Sequence, residues 1–197
     1  MAVFVAIHLP RLSLEVFRPR WSTRAERGCV VLERETVLIA DAIAREAGVA
    51  VGMRRGGVIT LAQDALVYDR DPAREHAVLL EVAYAVMRFS PMVAQCAEDT
   101  VLMDVTASIR LFGGVPRICR AIRQIVETIG VTGRVGVAPT GQGAWLLSKR
   151  GKTRVLKMRS LGRILDTLPF EVVTEMRRYA DWFSGLGCVS CLITSAM

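Results

Sequence analysis

Residues 89–114 contain two short apolar segments that flank a tight polar turn, and they read FSPMVAQCAEDTVLMDVTASIRLFGG. Residues 93–97 and 101–105 have the length and composition of β-strands, and the polar residues 98–100 between them predict a hairpin. Acidic groups at such a turn are where a metal-dependent phosphoryl-transfer enzyme keeps its carboxylates. The question for the rest of the chain is whether this turn still holds a metal ion.

The other sequence patterns predict an α+β fold, with helices on one face of a mainly antiparallel sheet. A buried strand opens the chain, and a small lobe is inserted after it. In that lobe Asp41 is the predicted N-cap and Gly48 the predicted stop of a short helix, and the glycine-rich residues 48–57 are expected to be irregular. The further predicted strands are residues 3–9, 29–32, 36–40, 65–68, 134–137 and 154–156, and the further predicted helices are residues 58–63, 72–89, 115–129, 141–149, 161–168 and 171–183.

The composition is that of a folded protein, with 52% hydrophobic and 23% charged residues. No apolar run approaches the ~20 residues that span a bilayer, and the N-terminus lacks a basic leader, so we predict a cytoplasmic protein without a membrane partner. The five cysteines are an odd number in apolar surroundings, which favours reduced, buried thiols. Cys188 and Cys191 form a C-x-x-C motif. A structural zinc site would need two further ligands, but His8 and His76 are distant in sequence, so we interpret the cysteine pair as packed or incidental.

The net charge of +7 is concentrated in one segment. Residues 149–165 contain seven basic residues and no acidic one, so this segment accounts for the whole excess. It is either a solvated basic loop or a surface that contacts phosphates, because clustered Lys and Arg gain affinity for nucleic acid by releasing its counterions. The predicted DNA-binding residues are Lys149, Arg150, Lys152 and Arg154.

Four stretches follow one another in a fixed order: the opening strand, AIAREAGVAVGM, FSPMVAQCAEDTVLMDVT and VGVAPTGQGAWLLSKRGK. Together they resemble the motifs of the Y-family (UmuC-type) translesion DNA polymerases, in which FSP-x-V leads into the hairpin S-I-D-E-A-Y-L-D-V-T. The resemblance implies a polymerase palm with a ferredoxin-like sheet at residues 1–17 and 72–160. It also implies an inserted fingers lobe at residues 18–71 and a partial helical thumb at residues 161–197, and the little finger that follows the thumb is expected to be absent.

The family places one catalytic Asp on the first strand and an Asp-Glu pair in the hairpin, because a two-metal site needs several convergent carboxylates. With Asp104 aligned to the family's D-V-T, Asp99 matches the Asp of the pair and Thr100 replaces the Glu. The first-strand Asp corresponds to Ala6. The resemblance thus implies that two of three metal-binding carboxylates are lost, that Asp99 is a remnant acting as a turn residue, and that no cofactor is held.

Positions that bind the nucleotide in the family also differ. The tyrosine that helps to hold the triphosphate corresponds to Ala42, the bulky gate against ribonucleotides to Arg11, and the phosphate-binding lysine of the late helix to Trp145. Arg45 is the member of this set that remains, so it is the predicted phosphate-binding residue.

With these substitutions at the metal-binding and nucleotide-binding positions, the chain most resembles the ImuB-type branch of the family. That branch is the non-catalytic subunit of a bacterial DNA-damage mutasome. The resemblance implies a protein that is not an enzyme, acts in translesion synthesis and induced mutagenesis, and binds primed or single-stranded DNA. Its implied partners are an error-prone replicative-type polymerase, an ImuA-type RecA-like protein and, in a longer C-terminal form, the sliding clamp. Two alternatives remain open: an active translesion polymerase that uses Mg²⁺, and a protein-interaction remnant that no longer binds DNA.

Overall fold

The computed structural model describes residues 2–20, 27–151 and 153–169, together with residues 172, 176, 179, 182 and 185. The chain divides into two compact units. The first comprises Met1–His8, Val86–Ile122 and Arg134–Met197, and the second comprises Leu9–Ala85 and Arg123–Gly133. In chain order the elements are β1 (Phe4–His8), α1 (Leu12–Glu15), β2 (Cys29–Glu33), β3 (Thr36–Ala40), α2 (Ala42–Glu46), α3 (Arg55–Leu61), β4 (Leu66–Asp69), α4 (Pro72–Val86), β5 (Val93–Cys96), β6 (Thr100–Asp104), α5 (Val115–Ile129), β7 (Arg134–Ala138), α6 (Gly141–Arg150), β8 (Thr153–Arg154) and α7 (Met158–Leu165).

The first unit is built on a five-stranded sheet in the order β5-β6-β1-β7-β8. Strand β1 is antiparallel to both β6 and β7, β5 is antiparallel to β6, and only the short β8 runs parallel to its neighbour. The central strand is apolar, and Val5, Ala6 and Ile7 are completely buried. The predicted α+β fold with a mainly antiparallel sheet is confirmed.

Helix α6 packs closely on this sheet because β7 carries a glycine where the two elements meet. A Cβ at Gly136 would lie 2.3 Å from the backbone nitrogen of Ser148 and 2.4 Å from the carbonyl oxygen of Ala144. The same helix contributes Ala144 and Leu147 to an apolar cluster with Ala6 of β1. The position of α6 against β1 and β7 is therefore fixed by backbone contact as well as by apolar burial.

The second unit contains a three-stranded sheet in the order β3-β2-β4. Its core includes Val30, Leu32 and Val58, all of which are completely buried. Asp41 caps α2 as predicted, because its side chain accepts a hydrogen bond of 2.9 Å from the N–H of Ala44. Cys29 is buried as expected, and burial, reinforced by the charge of Asp41, raises the pKa of its thiol to about 11.

The glycine-rich residues 48–57 were expected to be irregular, and this expectation is wrong for residues 55–57. Helix α3 begins at Arg55 and ends at Leu61, so it includes Gly56 and Gly57. Val58 of this helix is completely buried, and its packing outweighs the roughly 1 kcal/mol by which each glycine disfavours a helix.

The helix predicted after the basic segment also needs correction. The helix expected at residues 161–168 lies three residues earlier, at Met158–Leu165. The helix expected at 171–183 falls largely outside the described residues, as do Cys188 and Cys191. Within the described ranges, no helix combines the length and the apolar character needed to cross a membrane.

Candidate functional site

The β5–β6 turn adopts an uncommon backbone conformation. Strand β5 ends at Cys96 and β6 begins at Thr100, so the turn is one residue earlier than the sequence predicts. Glu98 and Asp99 have φ angles of 58° and 50°. A left-handed conformation is readily accessible to Asp but less so to Glu, so contacts from the surrounding structure must support this turn.

Ala6 lies in the apolar core of the first unit. It is opposite Leu102 of β6 on one side and Gly136 of β7 on the other. Its side chain is completely buried and packs with Ala144 and Leu147 of α6. A carboxylate at this position would enter an apolar environment, which disfavours the charged form strongly unless a cation or hydrogen-bond donors accompany it.

Thr100 is likewise completely buried and forms hydrogen bonds within the turn. Its hydroxyl donates to the carbonyl oxygen of Glu98 at 2.9 Å, and its Oγ1 lies 3.4 Å from Nδ1 of His8. The same nitrogen of His8 is 3.0 Å from the carbonyl oxygen of Glu98. Because a carbonyl can only accept, Nδ1 of His8 carries the proton in this contact.

Two side chains of α6 also form hydrogen bonds with the turn. The ammonium group of Lys149 donates to the carboxylate of Glu98, and the indole N–H of Trp145 donates to the carbonyl oxygen of Ala97 at 3.2 Å. Lys149 Nζ also lies 4.8 Å from the centre of the Trp145 ring, a cation–π contact. The turn is therefore fastened to the helix by an ion pair and a hydrogen bond.

The side chains around this turn do not fit a two-metal centre. Among the described residues, no three His, Cys, Asp or Glu side chains converge in a way that could hold a metal ion. Asp104 accepts hydrogen bonds from the N–H and the hydroxyl of Thr106, at 2.8 and 2.5 Å. Ala6 and Thr100 have no carboxylate to bring to Asp99.

The predicted DNA-binding residues occupy different environments. Lys149 is only 8% exposed and is paired with Glu98. Arg150 is exposed at the end of α6, where its guanidinium donates to the hydroxyl of Thr167 at 3.3 Å, and Arg154 is exposed on β8. Lys152 lies outside the described residues.

The predicted phosphate-binding Arg45 lies in the second unit, on the exposed side of α2. Its Nε donates to the backbone carbonyl of Asp41 at 3.2 Å. Arg11 and Ala42 come together at a cleft of about 300 Å³, which Arg18 and Asp41 also line. Arg18 and Asp41 form an ion pair of 2.5 Å there. Arg45 is not among the residues that line this cleft.

The role of Lys149 was not foreseen, because the local sequence shows only a run of basic residues. One signal was present: Trp145 and Lys149 are four residues apart on a predicted helix, and that spacing puts both on one face. A helix face that carries Trp145 toward the hairpin also carries Lys149 there.

Comparison with known proteins places this geometry in a family. The profile of the IMS family (impB/mucB/samB) matches residues 18–149, more than half of the chain. Protein ImuB of Caulobacter vibrioides, in strain NA1000 and in strain ATCC 19089, is 30% identical over 104 residues. That match covers 53% of this chain and 23% of ImuB, so the aligned part is about a quarter of that relative's length.

Solved structures agree in fold. The insertion ternary complex of Dbh DNA polymerase has a TM-score of 0.71 at 20% identity, and DinB from Sulfolobus solfataricus has a TM-score of 0.69 at 19% identity. Each comparison covers 95% of this chain and 58% of the other. At these identities the likeness establishes the fold and not the activity.

The three comparisons agree with the structure on one point. The antiparallel sheet with its inserted smaller lobe is the fold of the Y-family polymerases. The chain therefore belongs to the IMS (impB/mucB/samB) family, the Y-family DNA polymerase domain, and is related in sequence to ImuB.

Proposed function

We propose that this chain is a catalytically silent, polymerase-derived component of bacterial DNA damage tolerance. In this role it binds DNA and helps to recruit an error-prone polymerase, and it does not transfer nucleotides itself. The observation that carries the proposal is the environment of Ala6 and Thr100, the two positions where the family motifs lead us to expect carboxylates. Both side chains are completely buried, and neither carries a carboxylate.

The charge requirement of nucleotidyl transfer supports this proposal. A two-metal mechanism holds both ions with several carboxylates around the reacting phosphate. Asp99 alone brings a single negative charge. Beside it, the carboxylate of Glu98 is paired with the ammonium group of Lys149. At this turn the carboxylate of Glu98 therefore pairs with a lysine of α6 and not with a metal ion.

The proposed DNA contacts are Arg150 and Arg154, with Lys152 between them in the sequence. Both arginines are exposed, and neither has an acidic partner within the described residues. Lys149 was also predicted to bind DNA, but its buried ion pair with Glu98 favours a structural role. Arg45 is exposed and remains a candidate for phosphate contact in the second unit.

The domain division and the partners belong to the same proposal. The palm is assigned to residues 1–17 and 72–160, the fingers to 18–71 and a partial thumb to 161–197. The relationship to ImuB supports an ImuA-type RecA-like protein and an error-prone replicative-type polymerase as partners, with the sliding clamp in a longer form. Because the match covers only 23% of ImuB, each of these contacts requires a direct binding measurement.

DNA binding is tested by fluorescence anisotropy with primed and single-stranded DNA across a range of salt concentrations. For Arg150→Gln with Arg154→Gln we expect weaker binding and a salt slope shallower by about 1.4 on single strands, because each lost phosphate contact changes the slope by about 0.7. Arg54→Gln with Arg88→Gln is the matched control, since it removes two exposed arginines elsewhere.

The alternatives predict different results in the same experiments. If the wild-type chain does not bind DNA at low salt, the protein-interaction remnant is the better description. If it binds and also extends a primer, the chain is an active polymerase and the proposal of catalytic silence is wrong.

A further inference from the structure

Residues 105–126 contain four arginines and no lysine, aspartate or glutamate. Arg110 lies in the loop before α5, and Arg117 and Arg120 lie in the first half of the helix; all three are exposed. None of these three side chains has an ion pair or hydrogen bond with another described residue. A second strongly basic surface, separate in sequence from residues 149–165, is therefore present on the first unit.

This arrangement is locally unfavourable for the helix that carries it. The N-terminal end of a helix is the positive end of its dipole, where basic side chains destabilise and acidic ones stabilise. Helix α5 has no acidic residue in its first turn. Arg117 and Arg120 are three residues apart, so they are neighbours on the surface and repel each other by a few tenths of a kcal/mol. Within the described part of the chain, no acidic side chain pairs with these arginines. Uncompensated charge of this kind is expected where a protein binds an external ligand.

Gly113 of the loop contacts both Arg110 and Arg117. The side chain of Arg117 lies against Gly113, where a Cβ would be 2.7 Å from its Cδ and Nη1 atoms. The N–H of Gly113 in turn donates to the carbonyl oxygen of Arg110 at 3.3 Å. Phe112 anchors the loop through an edge-to-face contact with Phe89, with ring centroids 5.1 Å apart.

We propose that Arg110, Arg117 and Arg120 form a second contact surface for single-stranded nucleic acid. The guanidinium group matches the geometry of a phosphate and binds it through two parallel N–H donors. The Cα atoms of Arg117 and Arg120 are separated by about 4.5 Å along the helix axis, and Arg110 continues the surface into the loop. A flexible strand can bring successive phosphates to such a row. Leu111, which is 82% exposed beside Arg110, offers an apolar contact to an unstacked base.

The test is binding of fluorescein-labelled oligo(dT) of about 20 nucleotides by the full chain across salt concentrations. For Arg117→Gln with Arg120→Gln we expect the Kd to rise about tenfold at moderate salt and the salt slope to become shallower by about 1.4. Arg54→Gln with Arg88→Gln removes the same charge at two other exposed arginines, and its salt slope should stay within about 0.3 of the wild-type value.

Thermal unfolding of the same variants separates binding from folding. Because the substitutions remove a repulsion near the helix N-terminus, the Tm of the Arg117, Arg120 variant should equal or slightly exceed that of the wild type. The proposal is overturned if this variant binds oligo(dT) as the control does. It is also overturned if poly-glutamate of the same charge displaces the wild-type protein from oligo(dT) better than unlabelled oligo(dT) does, since that result identifies an acidic protein as the ligand.

The result is independent of the Arg150, Arg154 surface. If both surfaces bind the same oligonucleotide, the effects of the two double substitutions on log Kd should add, because the two sets share no contact with each other among the described residues. If only the Arg150, Arg154 variant weakens binding, this inference fails and the proposed DNA-binding function stands.

Discussion

Ala6 and Thr100, where the sequence motifs predict carboxylates, lie in the core of the first unit. Ala6 packs against Ala144 and Leu147, and Thr100 forms a hydrogen bond with the Glu98 carbonyl beside His8. Apolar packing and neutral hydrogen bonds therefore hold both side chains in place. At the residue scale, the proposed lack of catalysis rests on these two side chains and their neighbours.

The environment of Ala6 predicts the effect of restoring an acid there. Ala6→Asp should lower the free energy of unfolding by about 3 kcal/mol or more, because a carboxylate is buried without a partner. Urea unfolding measures the change. Ala107→Asp introduces the same group at an exposed position after β6 and should change stability by less than about 0.5 kcal/mol. Equal effects of the two substitutions would mean that the space around Ala6 admits water or cations.

Some of these residue roles could be predicted from the sequence and others could not. Ala6 and Thr100 follow from motif alignment, and their burial follows from the apolar strands that contain them. Lys149 could not be placed, because its partner Glu98 is 51 residues away in the sequence and the local run of basic residues favours solvent exposure. Arg18 and Asp41 form an ion pair although they are 23 residues apart in the sequence, and no local sequence pattern predicts such a pair.

At the scale of elements, the hairpin and α6 behave as one structural piece. The two elements are joined through the Lys149–Glu98 ion pair and the Trp145–Ala97 hydrogen bond, and α6 is seated on β7 at Gly136. Most elements were predictable because their apolar spacing is regular; α5 was predicted with its observed bounds, Val115–Ile129. The start of helix α3 was predicted three residues too late because propensity penalises Gly56 and Gly57, whereas the burial of Val58 is a tertiary effect.

The ion pair should show energetic coupling across the two elements. We expect Glu98→Gln and Lys149→Met each to lower stability, and the double variant to lose less than the sum, with a coupling of about 1–3 kcal/mol, because either single change leaves a partly buried charge without its partner. The exposed pair Asp71–Arg74 is the control and should couple by less than about 0.5 kcal/mol. A coupling near zero between Glu98 and Lys149 would show that the helix does not hold the turn through this pair.

The seating of α6 gives a second prediction at this scale. Gly136→Ala should lower the free energy of unfolding by about 3 kcal/mol, since its Cβ would collide with the backbone of α6 at Ala144 and Ser148. Gly162→Ala is the matched control within α7, where a Cβ meets nothing within 4 Å, and it should raise stability by about 0.5–1 kcal/mol. Chemical denaturation of both variants measures the difference, and a tolerated Gly136→Ala would contradict the close approach of β7 and α6.

At the scale of the whole molecule, the fold of a Y-family polymerase domain is combined with several exposed arginines. The order of the elements was sufficient to predict the α+β fold, because an antiparallel sheet with an inserted lobe follows from strand and helix order. The sites were less predictable, because they depend on which charges the fold pairs internally and which it leaves exposed. Arg150 and Arg154, together with Arg110, Arg117 and Arg120, are exposed, whereas Lys149 is paired.

Primer extension by the purified chain tests the central claim of catalytic silence most directly. The reaction contains primed template, all four deoxynucleotides and Mg²⁺ or Mn²⁺, and an active Y-family polymerase confirms that the substrate can be extended. We predict no extension by the wild-type chain above the level of Asp99→Ala, under conditions where anisotropy shows that the primed DNA is bound. Extension by the wild type that is abolished in Asp99→Ala would contradict the account.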